Sequence, residues 1–493
     1  MRKPCYFYYL QFAMKWNPQE KTQIKIALGS VGIVNVLWLL ATSKYGLALS
    51  ADSANYLSVA ENLSKGLGFV QFDGFPFYNT PPLYPIILSL GYLLGIPILV
   101  FAKIINLLAF NISYYFVYKL QKNYLKNAFQ GLSLALIACS YWVFSLAFLY
   151  CLSEAVFIAL LSGFLYFFLV RPTPNAIWVS AALLALLCLD RYAGFMLLPA
   201  IFLMQLLHKE KLKQITILFL PTLLFSLCWF IRNDWVSGNI LGDHQINNKI
   251  NPLVFLENVM IVFQTVVHKP IQLIILLLLM FAYMGACLLL RSKTQSEQEI
   301  QKVGIWLFFL CSSYLILLLV QRNLQISQLP RYLTIIWIPA SLLIPIILQK
   351  LYKINYLTIL QAQLILLLLA GIQLFLISMK TVKAYQNGAG GMNEISWQDE
   401  PMKHYLNTRL PDKKMISNFP DYLWLTTHKC VNYALFLNEN KTAYFIKNKD
   451  VNYCIWFRDR SREHLMAPLD SILQIHQLKL LDQQEKFCVY ERK

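Results

Sequence analysis

The chain is punctuated by apolar runs near the length that crosses a bilayer, ~17–25 residues each. A run of that kind has no water to pair its backbone in hydrocarbon, so it must close its own hydrogen bonds as a helix. The first is Ile26–Ser43. Pro81–Gly95 (PPLYPIILSLGYLLG) is apolar but short, and suits a re-entrant or interfacial helix better than a full crossing. Then come Ile98–Leu120, Phe129–Phe148, Ser153–Val170, Ile177–Leu189, Gly194–Leu207, Ile215–Ile231, Ile271–Leu290, Val303–Val320, Leu333–Leu348 and Leu357–Ser378. The spacing predicts about eleven transmembrane helices, the two flanking Asp190 being the shortest. Composition agrees, with 57% hydrophobic residues and only 14% charged, where a soluble domain carries about a quarter charged. The fold class expected is an all-α polytopic membrane protein.

Net charge is +18, yet Lys and Arg are not gathered into a phosphate-reading patch, so no nucleic-acid partner is expected. They fall in short clusters between apolar runs, as topology signals do. With the N-terminus in the cytoplasm, the inside loops carry Lys119/Lys122/Lys126, Arg171, Lys209/Lys211/Lys213, Arg291/Lys293/Lys302 and Lys350/Lys353. The alternate loops are poor in both residues, as the positive-inside rule requires. This orientation puts outside a first loop over 44–97, the Arg232–Lys269 segment, the Gln321–Arg331 loop and everything after Lys380.

Three divisions follow: a cytoplasmic segment 1–25, a membrane domain 26–380 and a soluble tail 391–493. The tail mixes short strand-like runs (Met415–Ser417, Ala443–Ile446, Tyr453–Phe457, Leu478–Leu481, Phe487–Tyr490) with helix-like ones such as Trp397–Leu410. That pattern predicts a small α/β domain, with Gly388–Gly391 (GAGG) as the linker to it. No cleavable signal is read. The first apolar run is expected to be retained as a span, and translation is expected to begin at Met1 or at Met14, which opens the basic leader MKWNPQEKTQIK. The ten cysteines form no CxxC or zinc-type spacing. Those in apolar runs read as small hydrophobes; Cys430, Cys454 and Cys488 leave room for one disulfide in the tail.

The polar island Leu49–Pro85 carries Asp52 where the first apolar run has just ended. A carboxylate at a membrane boundary is costly without work or a partner. Two readings are open and compatible: an N-cap for the helix-like stretch that follows, or a catalytic group facing a cleft. Glu154, Asp190, Arg191, Arg232 and Arg331 also stand at outward span ends. Taken singly, they read as solvated ends, a local Asp190–Arg191 ion pair and snorkelling arginines. Together, carboxylates and arginines gather at one face. An arginine fork suits a phosphate and a carboxylate suits proton abstraction from a hydroxyl. Transporters place ionisable groups near the midplane, and these spans are nearly free of charge there. No HExxH, GxSxG, Walker loop or GxGxxG occurs, and His244 and His268 read as surface residues.

The ordered series Asp52 with Tyr56, AENLSKGLGF, PPLYP, SEAVFIALL, LDRYAGFMLLP, WFIRNDWVSGN, PRYLTIIWIPA and ISNFPDYLWLTT resembles the GT-C fold glycosyltransferases. The likeness is to the bacterial group similar to protein mannosyltransferases and the lipid A aminoarabinose transferase (glycosyltransferase family 39-like), and it runs nearly the length of the chain. It implies a transferase that takes its sugar from a polyprenyl-phosphate carrier at the outer face of a bacterial inner membrane. The acceptor would be a lipid, a glycan or a protein. On this resemblance Asp52 is the general base, with Glu154 as a second catalytic acid. Arg191 and Arg331 clamp the lipid phosphate with Arg232 behind them, and Tyr56, Asn79 and Tyr332 complete the substrate contacts. Two departures stand out. Ser53 follows the first acid where many relatives have a second one, and Asn79–Thr80 precede the double proline where His or Lys is frequent. Glu154, Glu61 or Asp73 could compensate. A Mg or Mn ion is left open, one carboxylate being a thin site. The rival readings are a lipid-linked-glycan flippase or other transporter, and a non-catalytic scaffold in which Asp52 is dispensable.

Overall fold

A computed structural model describes residues 18–125, 127–139, 147–171, 173, 175–207, 211–238, 240, 301, 303–312, 314, 342–353, 357–410, 413–434, 448, 450–458 and 466–492. Among them, four helices are long and apolar enough to cross a membrane: α1 (Pro18–Ala41), α4 (Ile98–Tyr124), α9 (Leu212–Ser237) and α10 (Ile359–Asn387). Shorter apolar helices accompany them: α3 (Leu83–Leu93), α5 (Asn127–Cys139), α6 (Glu154–Val170), α7 (Ala176–Asp190) and α8 (Leu198–Leu207), with further helix at Val303–Ser312. The chain is a multi-pass membrane protein, but the expected eleven full-length spans are not reached within the described residues. At 1.5 Å per residue, the 15 residues of α7 reach only about 22 Å, short of the ~30 Å hydrocarbon core. Ile271–Leu290 lies outside the described residues, and so do parts of three other expected spans, Phe129–Phe148, Val303–Val320 and Leu333–Leu348.

Packing follows small and polar residues rather than hydrophobicity, which cannot distinguish helix from lipid. Helix α4 lies against α6, α1 against α5 and α10, and α9 against α7. Asn35 of α1 and Asn111 of α4 join side chain to side chain at 3.1 Å. Trp38 Nε1 donates to the Phe148 carbonyl at 2.8 Å, tying α1 to the segment before α6.

The first loop folds into α2 (Ala51–Ser64), a turn-rich segment and α3. Ser50 and Ser53 form a reciprocal capping box at the start of α2. Asp52 is therefore not the N-cap; it sits in the first helical turn. Helix α3 spans 11 residues, about 16 Å, in keeping with a segment too short to cross.

After α10 the chain forms a five-stranded sheet in the order β2-β1-β3-β5-β4. Its strands are β1 (Met415–Ser417), β2 (Val431–Tyr433), β3 (Tyr453–Phe457), β4 (Leu478–Gln483) and β5 (Phe487–Arg492), with helices α11 (Glu400–Arg409), α12 (Pro420–Thr427) and α13 (Leu469–His476). Strand β1 runs parallel to β2 and β3, while β5 is antiparallel to β3 and β4. The expected strand Ala443–Ile446 lies outside the described residues. Trp397, Phe419, Tyr422, Phe457 and Phe487 pack as an aromatic core beneath the sheet. Of the room left for a disulfide, none is used: Cys430, Cys454 and Cys488 are free thiols, Cys454 standing opposite Tyr490 and Cys488 opposite Trp456. The GAGG linker makes close contacts of its own. Gly391 pairs with Leu49 as an isolated bridge, and a Cβ at Gly390 would fall 2.3 Å from the Tyr150 hydroxyl.

Candidate active site

The segment that delivers Asp52 has two bridge residues, Ala48 and Leu49, paired on opposite edges. On one edge, Ala48 N donates to the Leu149 carbonyl at 2.8 Å and Cys151 N donates back to the Ala48 carbonyl at 3.0 Å. On the other edge, Met392 N donates to the Leu49 carbonyl at 2.8 Å. Successive residues of a strand face opposite edges, so one short piece of chain joins the approach to α6 on one side and the start of the C-terminal region on the other. It then runs into the Ser50 cap and turns Asp52 into the first turn of α2. The carboxylate is half-buried and stands where the helix dipole favours negative charge.

Tyr56 lies one turn further on, but it is 3% exposed and packs edge-on against Tyr84 and Phe77, with ring centroids at 5.2 and 6.3 Å. In this conformation it is a core residue supporting the loop. Asn79 is half-buried in the turn before the double proline. The carbonyl of its neighbour Tyr78 accepts hydrogen bonds from Asn233 Nδ2 at 3.2 Å and from the Tyr192 hydroxyl at 3.4 Å. Tyr192 is in turn held by Trp229 Nε1 at 3.3 Å.

Arg232 points into the same loop. Its Nη1 donates to the Phe77 carbonyl, its Nη2 reaches the Phe69 carbonyl at 3.4 Å, and the guanidinium lies 4.8 Å from the Trp229 ring centroid. The fork expected behind a phosphate is here spent on main-chain carbonyls, so Arg232 acts as an anchor of the loop on α9.

Glu154 and Arg191 come together. Glu154 is 0% exposed, and its Oε2 lies 2.8 Å from Arg191 Nη1. The same nitrogen also donates to Ser153 Oγ at 2.9 Å. The expected Asp190–Arg191 pair gives way to this one: helix α7 ends at Asp190 and Arg191 turns extended, swinging its side chain to α6. Asp190 stays within electrostatic reach of Arg191, Glu154 and Tyr84. It is 1% exposed, and neither carboxylate oxygen has a hydrogen-bond partner among the described residues. A second acid beside the pair was visible in the sequence only as the neighbour of an arginine.

The other compensating acids are engaged elsewhere. Glu61 pairs with Lys65 at 2.6 Å and faces His428 at 3.4 Å, while Asp73 Oδ1 accepts from Phe75 N at 3.0 Å. Arg331, Tyr332, His244 and His268 lie outside the described residues. Among the described residues no three His, Cys, Asp or Glu side chains gather to hold a metal.

No protein-family model matches the chain, and no curated protein does. Solved structures match over nearly its full length. The structure of ArnT from Cupriavidus metallidurans bound to undecaprenyl phosphate aligns with a TM-score of 0.57 at 12% identity, covering 94% of this chain and 97% of that one. The archaeal oligosaccharyltransferase AglB from Archaeoglobus fulgidus, in complex with an inhibitory peptide and a dolichol-phosphate, aligns at 0.56 and 10% identity, covering 89% and 70%. The arabinofuranosyltransferase AftD from Mycobacteria aligns at 0.55 and 16% identity, covering 96% of this chain and 40% of that longer one. At such identities the likeness is one of fold. The chain has the GT-C fold of membrane glycosyltransferases.

Proposed function

We propose that the protein is a glycosyltransferase that moves a sugar from a polyprenyl-phosphate carrier to a hydroxyl of a lipid, glycan or protein acceptor. The observation that carries this reading is the place of Asp52. It stands half-buried at the head of the first-loop helix, directly after the first span, on a fold whose solved examples include one with undecaprenyl phosphate and one with a dolichol-phosphate bound. The Glu154–Arg191 pair adds a buried cation next in sequence to Tyr192, whose hydroxyl bonds the Tyr78 carbonyl of the same loop.

In the reaction, Asp52 accepts the proton of the acceptor hydroxyl as its oxygen forms a bond to the anomeric carbon. The bond from that carbon to the phosphate oxygen breaks, and polyprenyl phosphate leaves with the electron pair. Direct displacement inverts the anomeric configuration. A general base of this kind contributes roughly 10²–10⁴-fold. Charge gathers on the leaving phosphate, and a preorganised cation is worth most there. Arg191 is our assignment for that role, with Arg331 as its companion and Glu154 as the group that orients Arg191. Asn79 and Tyr332 are assigned to the substrates; Tyr56 and Arg232 shape the loop. No step is routed through a metal. The reaction is placed at the outer face of a bacterial inner membrane, with the N-terminus in the cytoplasm and the C-terminal α/β region outside. Nothing observed favours the flippase or scaffold readings.

The test is sugar transfer by the full chain in nanodiscs given labelled polyprenyl-phosphate sugars and membrane-extracted acceptors. Transfer of label with release of polyprenyl phosphate supports the proposal. Transfer only from a nucleotide sugar, or movement of the lipid across the bilayer without transfer, refutes it.

A further inference from the structure

The segment before Asp52 is gripped by residues from the far end of the chain. Asn393 Nδ2 donates to the Leu47 carbonyl at 2.8 Å and also to the Tyr45 carbonyl. Met392 N takes the Leu49 carbonyl at 2.8 Å. The Tyr45, Leu47 and Leu49 carbonyls all take donors from the C-terminal segment, the chain turning through Gly46 at φ +79° to present the first two to one amide. Asn393 is itself fixed, because its Oδ1 accepts from Gln398 Nε2 at 2.7 Å. The approach is close enough to dictate glycine. Gly391 sits at φ +63°, and a Cβ there would fall 1.9 Å from the Leu49 carbonyl oxygen.

The same region also holds the far side of the loop. Helix α12 lies against α2, Trp424 stacks on Phe72 with centroids 6.2 Å apart, and His428 faces Glu61 at 3.4 Å. The loop that carries Asp52 is therefore clamped both before and after the acid by residues beyond α10.

We propose that Asn393 is a positioning residue for Asp52, and that the C-terminal region is through it a built part of the catalytic loop. The proposal rests on the transferase reading above and gives a role to a region that the sequence marked only as a small α/β domain. The physical argument is one of tolerance. A catalytic group must be held within about 0.5 Å of its working position, and a displacement of about 1 Å can cost ~10²-fold. Only Ala48, Leu49, Ser50 and Ala51 separate the nearer Asn393 contact, at Leu47, from Asp52. Removing the Asn393 amide leaves the Tyr45 and Leu47 carbonyls without that donor and frees this segment to shift. The Met392–Leu49 backbone bond remains, so the region stays docked while the register loosens.

The experiment compares wild type, Asn393→Ala, Asp52→Asn and the double variant, all as full chains in nanodiscs. It measures kcat and donor KM, and hydrogen exchange over residues 47–56 and 453–457. Expected for Asn393→Ala are a kcat lowered about 10- to 100-fold, a donor KM within about twofold, and faster exchange over 47–56 with 453–457 unchanged. In the Asp52→Asn background the same change should cost no further activity, because Asn393 acts through the acid. An unchanged kcat, the same fold-loss in both backgrounds, or loosening that extends to 453–457 would each overturn the proposal. If wild type transfers no sugar at all, the transferase reading fails, and the exchange arm still decides whether Asn393 holds the segment.

Discussion

Removing the Glu154 carboxylate tests how the structure holds its buried arginine. Glu154 is fully buried and its Oε2 lies 2.8 Å from Arg191 Nη1, a side chain only 12% exposed. Breaking a buried ion pair from one side costs about 3–5 kcal/mol, because the remaining charge is left without compensation. Glu154→Ala should fall in that range. Glu154→Gln keeps the shape and one acceptor. It exchanges an ion pair for a bond from the guanidinium to a neutral amide oxygen, a loss of about 1–2 kcal/mol. The assay is thermal unfolding in detergent, followed by tryptophan fluorescence, alongside transfer per folded molecule. The apparent Tm should drop in the order wild type, Gln, Ala, and transfer should fall about 10- to 100-fold as the guanidinium loses its orientation. An Ala variant with wild-type Tm would refute the buried-pair argument. An Ala variant that is destabilised yet transfers normally would remove Arg191 from the site.

Three further outcomes follow from the same geometry. Ser50→Ala removes the cap of α2 and should cost about 1 kcal/mol; it should also lower kcat, and an unchanged kcat in steady-state transfer would show that the turn does not depend on its cap. Arg232→Lys cannot fork between the Phe77 and Phe69 carbonyls, so proteolysis of the 65–82 turn should speed up; unchanged cleavage would count against the anchor. In the C-terminal region, burial and the nearby Arg492 charge push the His476 imidazole down to about 4 from its ordinary 6.5. The folded form thus favours the neutral ring. Its contribution to stability is complete above about 6.5 and is lost as pH falls through about 4. Hydrogen exchange over 469–483 in the full chain should therefore quicken on acidification, and His476→Gln should flatten that response.

Much of the architecture was legible because it depends on local pattern. Apolar length marked α1, α4, α9 and α10, and the brevity of PPLYPIILSLGYLLG marked α3 as too short to cross. Short strand-like runs marked β1, β3, β4 and β5. Strand β2 escaped because Val431–Tyr433 is three residues long and gains its pairing from β1, not from its own pattern. What failed was partner choice. GAGG reads as a linker by composition, yet its glycines are there for close contact with Leu49 and Tyr150, partners hundreds of positions away. Asp52 looks like a cap, but Ser50 has the right offset to bond Ser53, and two serines in a row of small polar residues give little signal. Arg191 has an acid beside it in sequence and chooses another across the helix interface. Arg232 looked like a phosphate ligand because exposed arginines at span ends look alike until the loop they anchor has folded over them.

The most direct test of the central claim is sugar transfer by Asp52→Asn against wild type, in membranes supplied with labelled polyprenyl-phosphate sugar. The substitution keeps the size of the side chain and removes the base. The Ser50–Ser53 cap is untouched, so α2 should persist. The account predicts transfer lowered roughly 10²–10⁴-fold in a variant that still inserts and unfolds at the wild-type temperature. Transfer that continues unchanged would contradict it, leaving Asp52 as an acid that only steadies the first turn of a helix.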